Sequence, residues 1–255
     1  MSSSARSISP RSSSALNSVP VMKWRGKRRV YVAVVALRVV TWNLMHGRAV
    51  PPAGRDLLDE FAAALAGWEW DVALLQEVPP WWPRLLAGRL GAEKRYVLTS
   101  RNALPPVRRA VAVRWPDLIK SNGGGSNAIL VRRDAVVEHR WRRLCVWPER
   151  RWVHGVRLDH AGVWGANRHA GGPARDARRA AASALRWADG RPVVLGGDFN
   201  IREPALDGFE FAGGHGVDEF YLRGLSVVAG ASVLDRGRLS DHAPVAVTIA
   251  PAPAS

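Results

Sequence analysis

Short apolar runs along this chain border polar side chains at the positions where the runs end. The clearest run is Val193 to Leu195, which passes through a glycine pair into Asp198 and Asn200. It is too short for a helix and ends in turn-forming residues, so it predicts a buried β-strand with polar groups at its end. Residues two apart in an extended chain share a face, so Asp198 and Asn200 would point the same way. The alternative is a turn in which both side chains bind only backbone groups.

Three further apolar runs have the same kind of polar boundary, which favours a shared site over four unrelated turns. Asn43 follows the run 37–40, Glu77 follows the run 72–75, and Asp241 with His242 precedes the run 243–247.

The rest of the chain mixes helical and extended patterns. Apolar spacing predicts helices over residues 54–68, 80–90 and 173–187. Extended patterns predict strands over residues 71–75, 95–99, 110–115, 127–131, 135–141, 152–158, 162–167, 193–200, 225–234 and 245–249. We expect loops over 100–109 and 120–126, and the second lacks the Gly-Lys-Ser/Thr ending of a phosphate-binding P-loop. Strands before, between and after helices predict an α/β fold of two packed sheets flanked by helices.

The N-terminal segment differs from the rest in composition. Residues 1–29 are rich in serine and basic residues and predict a disordered extension, followed by one catalytic domain over 30–250. The basic cluster Lys23 to Arg29 could touch nucleic acid or anionic lipid, but a dispensable extension is the favoured interpretation. The apolar run Val30 to Leu37 is not expected to be a signal peptide, because Arg38 interrupts it and no cleavage site follows. No run reaches the roughly 18 apolar residues of a membrane span.

The charge and the cysteine content of the chain exclude only a few classes of function and site. The net charge is +15, and eight basic residues without any acidic one lie in residues 1–38. Most basic residues are arginine, so the charge fits a phosphate-bearing substrate but also a generic solvated surface. The one cysteine, Cys145, excludes a disulfide framework and a thiolate metal cluster, which agrees with a reducing, cytoplasmic location.

The motifs, taken in order, resemble the endonuclease/exonuclease/phosphatase superfamily, the DNase I-like group. The matching segments are VVTWNLMHG, DVALLQEV, GGDFN and LSDHAPVAV, with weaker support from WGANRHA and VDEFYL, and they run from about residue 37 to 249. The resemblance implies a four-layer α/β sandwich of two packed mixed β-sheets flanked by helices.

The candidate groups are mostly carboxylates and amides with few imidazoles, a donor set that suits Mg²⁺ or Mn²⁺ better than zinc. The resemblance implies that Asn43, Glu77 and Asp241 hold the metal. It also implies roles for five other residues: His242 contacts the scissile phosphate, Asp218 orients His242, Asp198 orients or deprotonates the attacking water, Asn200 donates to a phosphate oxygen, and His169 is a general acid.

The expected function is a Mg²⁺-dependent phosphoester hydrolase in which metal-organised water attacks directly, with a nuclease-like phosphodiesterase preferred. The partners are a phosphate-ester substrate, with nucleic acid as one candidate, and the chain is expected to be monomeric. Alternatives are a small-molecule or lipid phosphatase or phosphodiesterase of the same superfamily, and a non-catalytic phosphate- or nucleic-acid-binding module. The pair Trp81-Trp82 could stack on a base, although helical spacing with Leu85 favours core packing. No role is assigned to five histidines: His46, His139, His154, His160 and His215.

Overall fold

The computed structural model describes residues 18–25, 28–99, 105–115, 117–118, 124–146, 150–169 and 174–253. The chain divides into two compact units, residues 1–36 and 37–255. In the first unit, β1 (Ser18–Arg25) and β2 (Arg28–Val35) form an antiparallel hairpin. Disorder was predicted for residues 1–29, of which residues 1–17 lie outside the described part. The boundary between residues 29 and 30 stays a prediction.

The second unit contains twelve described strands and four described helices. The strands are β3 (Leu37–Asn43), β4 (Val72–Val78), β5 (Glu93–Thr99), β6 (Gly125–Val131), β7 (Val136–Cys145), β8 (Arg151–Leu158), β9 (Trp164–His169), β10 (Val193–Asp198), β11 (Glu210–His215), β12 (Asp218–Arg223), β13 (Leu225–Val233) and β14 (Val245–Pro251). The helices are α1 (Leu58–Gly67), α2 (Trp82–Leu90), α3 (Pro105–Arg114) and α4 (Ala174–Ala188).

These strands form two six-stranded mixed sheets, as the sequence predicted. The first sheet has the order β13-β14-β3-β4-β6-β5, and the second has the order β11-β12-β10-β9-β8-β7. The central pairs, β3 with β4 and β9 with β10, are parallel, and the outer pairs are antiparallel. The carboxyl ends of each parallel pair therefore meet at one edge of their sheet.

Each sheet is covered on its outer face by helices. Phe61 of α1 and Trp82 of α2 are buried against the first sheet, with their rings 5.4 Å apart. On the second sheet, Ala177, Ala181 and Ala184 of α4 pack against buried strand residues. The alanine-rich face lets α4 lie close to the strands, so the amphipathic pattern predicted from its sequence is confirmed.

The two sheets approach closely where β10 crosses β4. A side chain at Gly196 would lie 2.8 Å from Leu74 of the first sheet and 2.8 Å from Phe220 of β12. At Gly197, where φ is +141°, an added Cβ would lie 2.0 Å from the carbonyl oxygen of Arg168. The glycine pair is therefore required by packing and by backbone conformation at the end of β10.

A buried polar network also joins the sheets. Gln76 of β4 donates its amide to Asn167 Oδ1 of β9 at 2.8 Å, and Asn167 Nδ2 donates to the carbonyl oxygens of Leu75 and Ala128 at 2.9 Å each. Both amides are fully buried. Hydrogen bonds in this buried layer have directional requirements that apolar contacts lack, so they align β4 with β9.

Three local predictions need correction or addition. The predicted strand over 110–115 is wrong, because these residues continue helix α3, which begins with two prolines at positions where proline is tolerated. The loop expected over 100–109 is helical from Pro105, and residues 100–104 lie outside the described part. Strands β11 and β12 were not predicted, because Gly213 and Gly214 made the segment of β11 look like a loop and residues 217–222 were interpreted only as a motif.

No helix in the described part of the chain is long and apolar enough to span a bilayer.

Asn167→Ala tests the network between the sheets. We expect it to lower the free energy of unfolding by about 3 kcal/mol, because it leaves several buried polar groups without partners. Urea denaturation followed by circular dichroism measures this value.

Ser226→Ala removes an exposed hydroxyl and serves as the control, with an expected change within about 0.5 kcal/mol. Equal stability of the two variants would show that the network does not stabilise the fold.

Candidate active site

Strand register brings most of the predicted site residues to one edge of the sandwich. Asp198, the last residue of β10, lies opposite His169 of β9 and Asp218 of β12. In the first sheet, Asn43 ends β3 beside Gln76 of β4, and Glu77 is the next residue of β4. The strand ends therefore determine the positions of these side chains, and the loop before β14 adds His242.

Asp198 lies at the centre of this group and is almost completely buried. Its Oδ2 accepts a hydrogen bond from Asn43 Nδ2 at 3.0 Å. The same oxygen lies 3.7 Å from His169 Nε2 and 3.9 Å from His242 Nε2. Its Oδ1 accepts the backbone N–H of Asn200 at 2.9 Å. One carboxylate thus contacts both sheets and faces two imidazoles.

His242 forms a short pair with Asp218, with Nδ1 2.7 Å from Oδ2. Burial lowers the pKa of His242, but the hydrogen bond to Asp218 and the charges of Asp218, Asp198 and Asp241 outweigh burial and raise the pKa to about 9. Burial also raises the pKa of Asp218 to about 6, against the opposing effect of His242. At pH 7 the pair is therefore an imidazolium beside a carboxylate.

Ser240 holds the loop that presents His242. Its hydroxyl donates to the carbonyl oxygen of Asn43 at 2.7 Å and accepts the backbone N–H of His242 at 3.0 Å. Trp42 Nε1 donates to the carbonyl oxygen of His242 at 3.1 Å. The bonds to Asn43 and Trp42 tie the loop to the end of β3, and the third bond holds the loop's own shape. His242 is therefore positioned by the first sheet, while its partner Asp218 belongs to the second.

Glu77 lies at an irregularity in β4. The pairing of β4 with β6 shifts register between Leu75 and Val78, and Glu77 has a φ of +49°. A bulge of this kind redirects a side chain out of the regular alternation. The carboxylate lies 3.2 Å from His46 Nε2 and 3.4 Å from His169 Nε2, and its side chain is 25% exposed.

His169 is buried against Arg151. Nη1 of Arg151 lies 2.7 Å from Nε2 and 3.0 Å from Nδ1 of the ring. Burial, together with the charges of Arg151 and neighbouring groups, holds the pKa of His169 well below its usual value of 6.5. The ring is therefore neutral at pH 7 in the metal-free protein, and the general-acid role stays a prediction.

Asn200 and Asp241 lie at the exposed rim. Asn200 follows β10 with a φ of +51°, and the hydroxyl of Ser240 lies 3.4 Å from Asp241 Oδ1. A concave surface of about 260 Å³ adjoins this rim, lined by His215, Gly216, Val217, Asp218, Arg236, Asp241, His242 and Ala243.

Sequence reasoning missed three residues of the site. His46 received no role, yet it contacts Glu77 and lies 3.2 Å from the carbonyl oxygen of Gly124. Its position three residues after Asn43 was a usable signal. Ser240 precedes the predicted Asp241 and was overlooked as a loop residue. Arg151 carried no signal, because arginine is common throughout the chain.

The donor set fits a divalent cation. Ligand atoms of Asp198, Asp218 and His242 lie within 4.8 Å of one another. Asp218 Oδ1 is buried and has no hydrogen-bond partner among the described residues, so a lone pair is available to a cation. Glu77 adds a third, more exposed carboxylate nearby. The predicted metal set of Asn43, Glu77 and Asp241 overlaps this region without coinciding with these three residues.

Asp218→Asn tests the electrostatics of the pair. In metal-free protein we expect His242 to titrate near pH 9. Loss of the carboxylate removes the largest favourable influence and should lower the midpoint by about 1 to 3 pH units. NMR titration of the His242 ring protons measures this midpoint. The raised pKa of His242 also means that its protonation contributes stability that is fully present below about pH 6.5 and is lost as pH rises through 9.

The matched control is Asp207→Asn, which removes an exposed carboxylate and should leave the His242 midpoint unchanged. A midpoint that is the same in Asp218→Asn as in the parent would contradict the ion pair.

Solved structures with the same fold support this arrangement of strands. An endonuclease/exonuclease/phosphatase from Beutenbergia cavernae is 22% identical in sequence and has a TM-score of 0.60. The match covers 85% of this chain and 72% of that protein's chain. One from Bacteroides vulgatus is 15% identical, with 85% and 99% coverage and a TM-score of 0.62. A humanized D. rerio TDP2 is 16% identical, with 84% and 98% coverage and a TM-score of 0.59. At these identities the likeness shows the fold alone.

No curated protein matches the chain significantly. The model of the Endonuclease/Exonuclease/phosphatase family matches residues 40–242, from the middle of β3 to the imidazole paired with Asp218. This match covers most of the chain and strands of both sheets, and the chain belongs to the endonuclease/exonuclease/phosphatase family.

Proposed function

We propose that this protein is a divalent-metal-dependent phosphodiesterase that hydrolyses its substrate by direct attack of water. The observation that carries the proposal is the convergence on Asp198 of an amide from the first sheet and of two imidazoles, His169 and His242. A carboxylate buried this deeply among such groups is costly for the fold and typical of a functional site.

The charge of each side chain determines its role in the proposed hydrolysis. The protonated His242, held by Asp218, would face the negative charge that develops on the phosphoryl oxygens. Asp198 can accept a proton from water, and its link to Asn43 keeps Oδ2 directed into the site. Asn200 at the rim would donate to a non-bridging oxygen. No covalent nucleophile is required.

A bound divalent cation, which we take to be Mg²⁺, would supply positive charge against the phosphate oxygens. The carboxylates of Glu77 and Asp218 would hold it, with Asn43 and Asp241 as further oxygen donors from the predicted set, and Asp198 would lie beside it as the proton acceptor. Oxygen donors with few imidazoles favour this hard cation. The preference for a diester rests on the resemblance of the motifs to DNase I-like nucleases. A cytoplasmic location is part of the same proposal and rests on the single cysteine.

Hydrolysis of bis-p-nitrophenyl phosphate and p-nitrophenyl phosphate, with Mg²⁺, Mn²⁺ or EDTA, tests the proposal. We expect diester cleavage that EDTA abolishes. Asp198→Asn keeps the size of the side chain but removes its charge, and should lower kcat by about 10²–10⁴-fold.

Asp207→Asn is the control, because it removes an exposed carboxylate outside the site, and its kcat should equal that of the parent. Cleavage of the monoester alone would replace the diester assignment with a phosphatase. Full activity in Asp198→Asn or in EDTA would refute the proposed site.

A further inference from the structure

A second, chemically different cavity lies beside helix α3. Its volume is about 780 Å³, and it is open to solvent. It lies between α3, the edge strand β5 and the segment before α2. Its lining consists of Pro80, Trp81, Tyr96, Leu98, Pro106, Arg109, Ala110 and Val113.

The two tryptophans before and within α2 have different environments. Trp82 is buried in the core, as its helical spacing predicted. Trp81 is only partly buried and forms part of the cavity wall, with the guanidinium of Arg109 6.0 Å from its ring centre. Trp81 also packs against the core that contains Trp82, but its partly exposed ring leaves one part of its surface available to a ligand in the cavity.

The lining favours a hydrocarbon chain over a nucleobase. Most of the wall is aliphatic or proline, and the polar side-chain groups are the Arg109 guanidinium, the Tyr96 hydroxyl and the indole N–H of Trp81. The edge of a base carries several donors and acceptors, which would lose their hydrogen bonds to water in such a cavity without replacement. A methylene chain has no such requirement and gains from each buried group.

Several exposed apolar side chains lie on helix α3 or close to it. Val107 is 60% exposed, Trp115 is 55% exposed and Leu118 is 72% exposed. Leu98 and Val113 in the cavity wall are also exposed by nearly half. Single exposed apolar residues are ordinary, but a group of them around an apolar cavity marks an interaction surface.

Helix α3 itself carries charge of one sign, and the exposed Asp117 follows it between Trp115 and Leu118. Helix α3 contains Arg108, Arg109 and Arg114 and no acidic residue. The guanidinium of Arg114 lies 5.5 Å from the ring centre of Trp115. Arginine and tryptophan side chains are favourable at the headgroup level of an anionic bilayer, where neighbouring exposed aliphatic residues can reach the acyl chains.

We propose that α3 and this cavity form a docking site for anionic phospholipid in a bilayer, with one acyl chain in the cavity and the arginines of α3 at the headgroups. The site is separate from the hydrolytic one in chemistry, although Pro80 follows Glu77 by only three residues. Binding requires neither a divalent cation nor turnover, so it can fail or succeed independently of the proposed hydrolysis.

Flotation of the full-length protein with vesicles in EDTA tests the docking site. Vesicles of phosphatidylcholine alone are compared with vesicles that also contain phosphatidylglycerol. Val113→Asp places a carboxylate in the cavity wall, and should weaken partitioning onto the anionic vesicles by at least about tenfold. Val228→Asp is the matched control, because Val228 is 46% exposed on β13 and the charge change is the same, and it should bind as the parent does.

Both variants retain the basic N-terminal residues, so the difference between them isolates α3 and its cavity. Vesicles with brominated acyl chains provide the second readout, because bromine quenches a tryptophan in contact with the chain. We expect quenching in the parent and less of it in Trp81→Phe.

Three results would overturn the proposal. They are no binding of the parent to anionic vesicles, equal binding of Val113→Asp and Val228→Asp, and quenching that is unchanged in Trp81→Phe. A parallel titration with a single-stranded oligonucleotide covers the nucleic-acid alternative. If Val113→Asp weakened oligonucleotide binding and left vesicle binding intact, the cavity would be a base-binding site.

Discussion

The hydrogen bond from Asn43 Nδ2 to Asp198 Oδ2 joins the two sheets at the edge where the candidate site residues gather. Asn43 ends β3 of the first sheet, and Asp198 ends β10 of the second. A carboxylate buried to this extent needs partners to remain charged, and the amide supplies one from across the sandwich. The position of Asp198 therefore depends on the register of both sheets, and the imidazoles are placed relative to it.

The packing between the sheets explains why this arrangement can be rigid. The absence of side chains at Gly196 and Gly197 lets β10 approach Leu74 and the backbone of β9. Deeper between the two sheets, the hydrogen-bonded amides of Gln76 and Asn167 align β4 with β9. Close packing at the glycine pair and directional hydrogen bonds each restrict sliding of one sheet over the other. The site residues at the edge of the sandwich are therefore held in fixed positions, as phosphoryl chemistry requires.

Much of this fold was predictable because its central strands are short, apolar and bounded by glycine or polar residues. The run before Asp198 is an example, since burial on both faces leaves a pattern that few other structures produce. The helix over 105–114 was not predictable from alternating Ala and Val, because these residues satisfy both strand and helix patterns. Strand β11 was hidden by its glycines, which permit an extended backbone without favouring it.

For the candidate site, the motifs indicated the strand-end residues but not their supporting partners. Asn43, Asp198, Asp218 and His242 do converge in the structure. Arg151 reaches His169 from the neighbouring strand β8, a contact that exists only through the pairing of β8 with β9. Contacts of this kind depend on register across strands, which a single sequence does not reveal.

A crystal structure of the protein soaked with Mn²⁺, with anomalous data collected at the manganese edge, tests the central claim most directly. The account predicts an anomalous peak at the edge of the sandwich, within about 2.0–2.4 Å of at least one carboxylate oxygen from Glu77, Asp198 or Asp218. A peak elsewhere on the molecule, with none among these carboxylates, would contradict it.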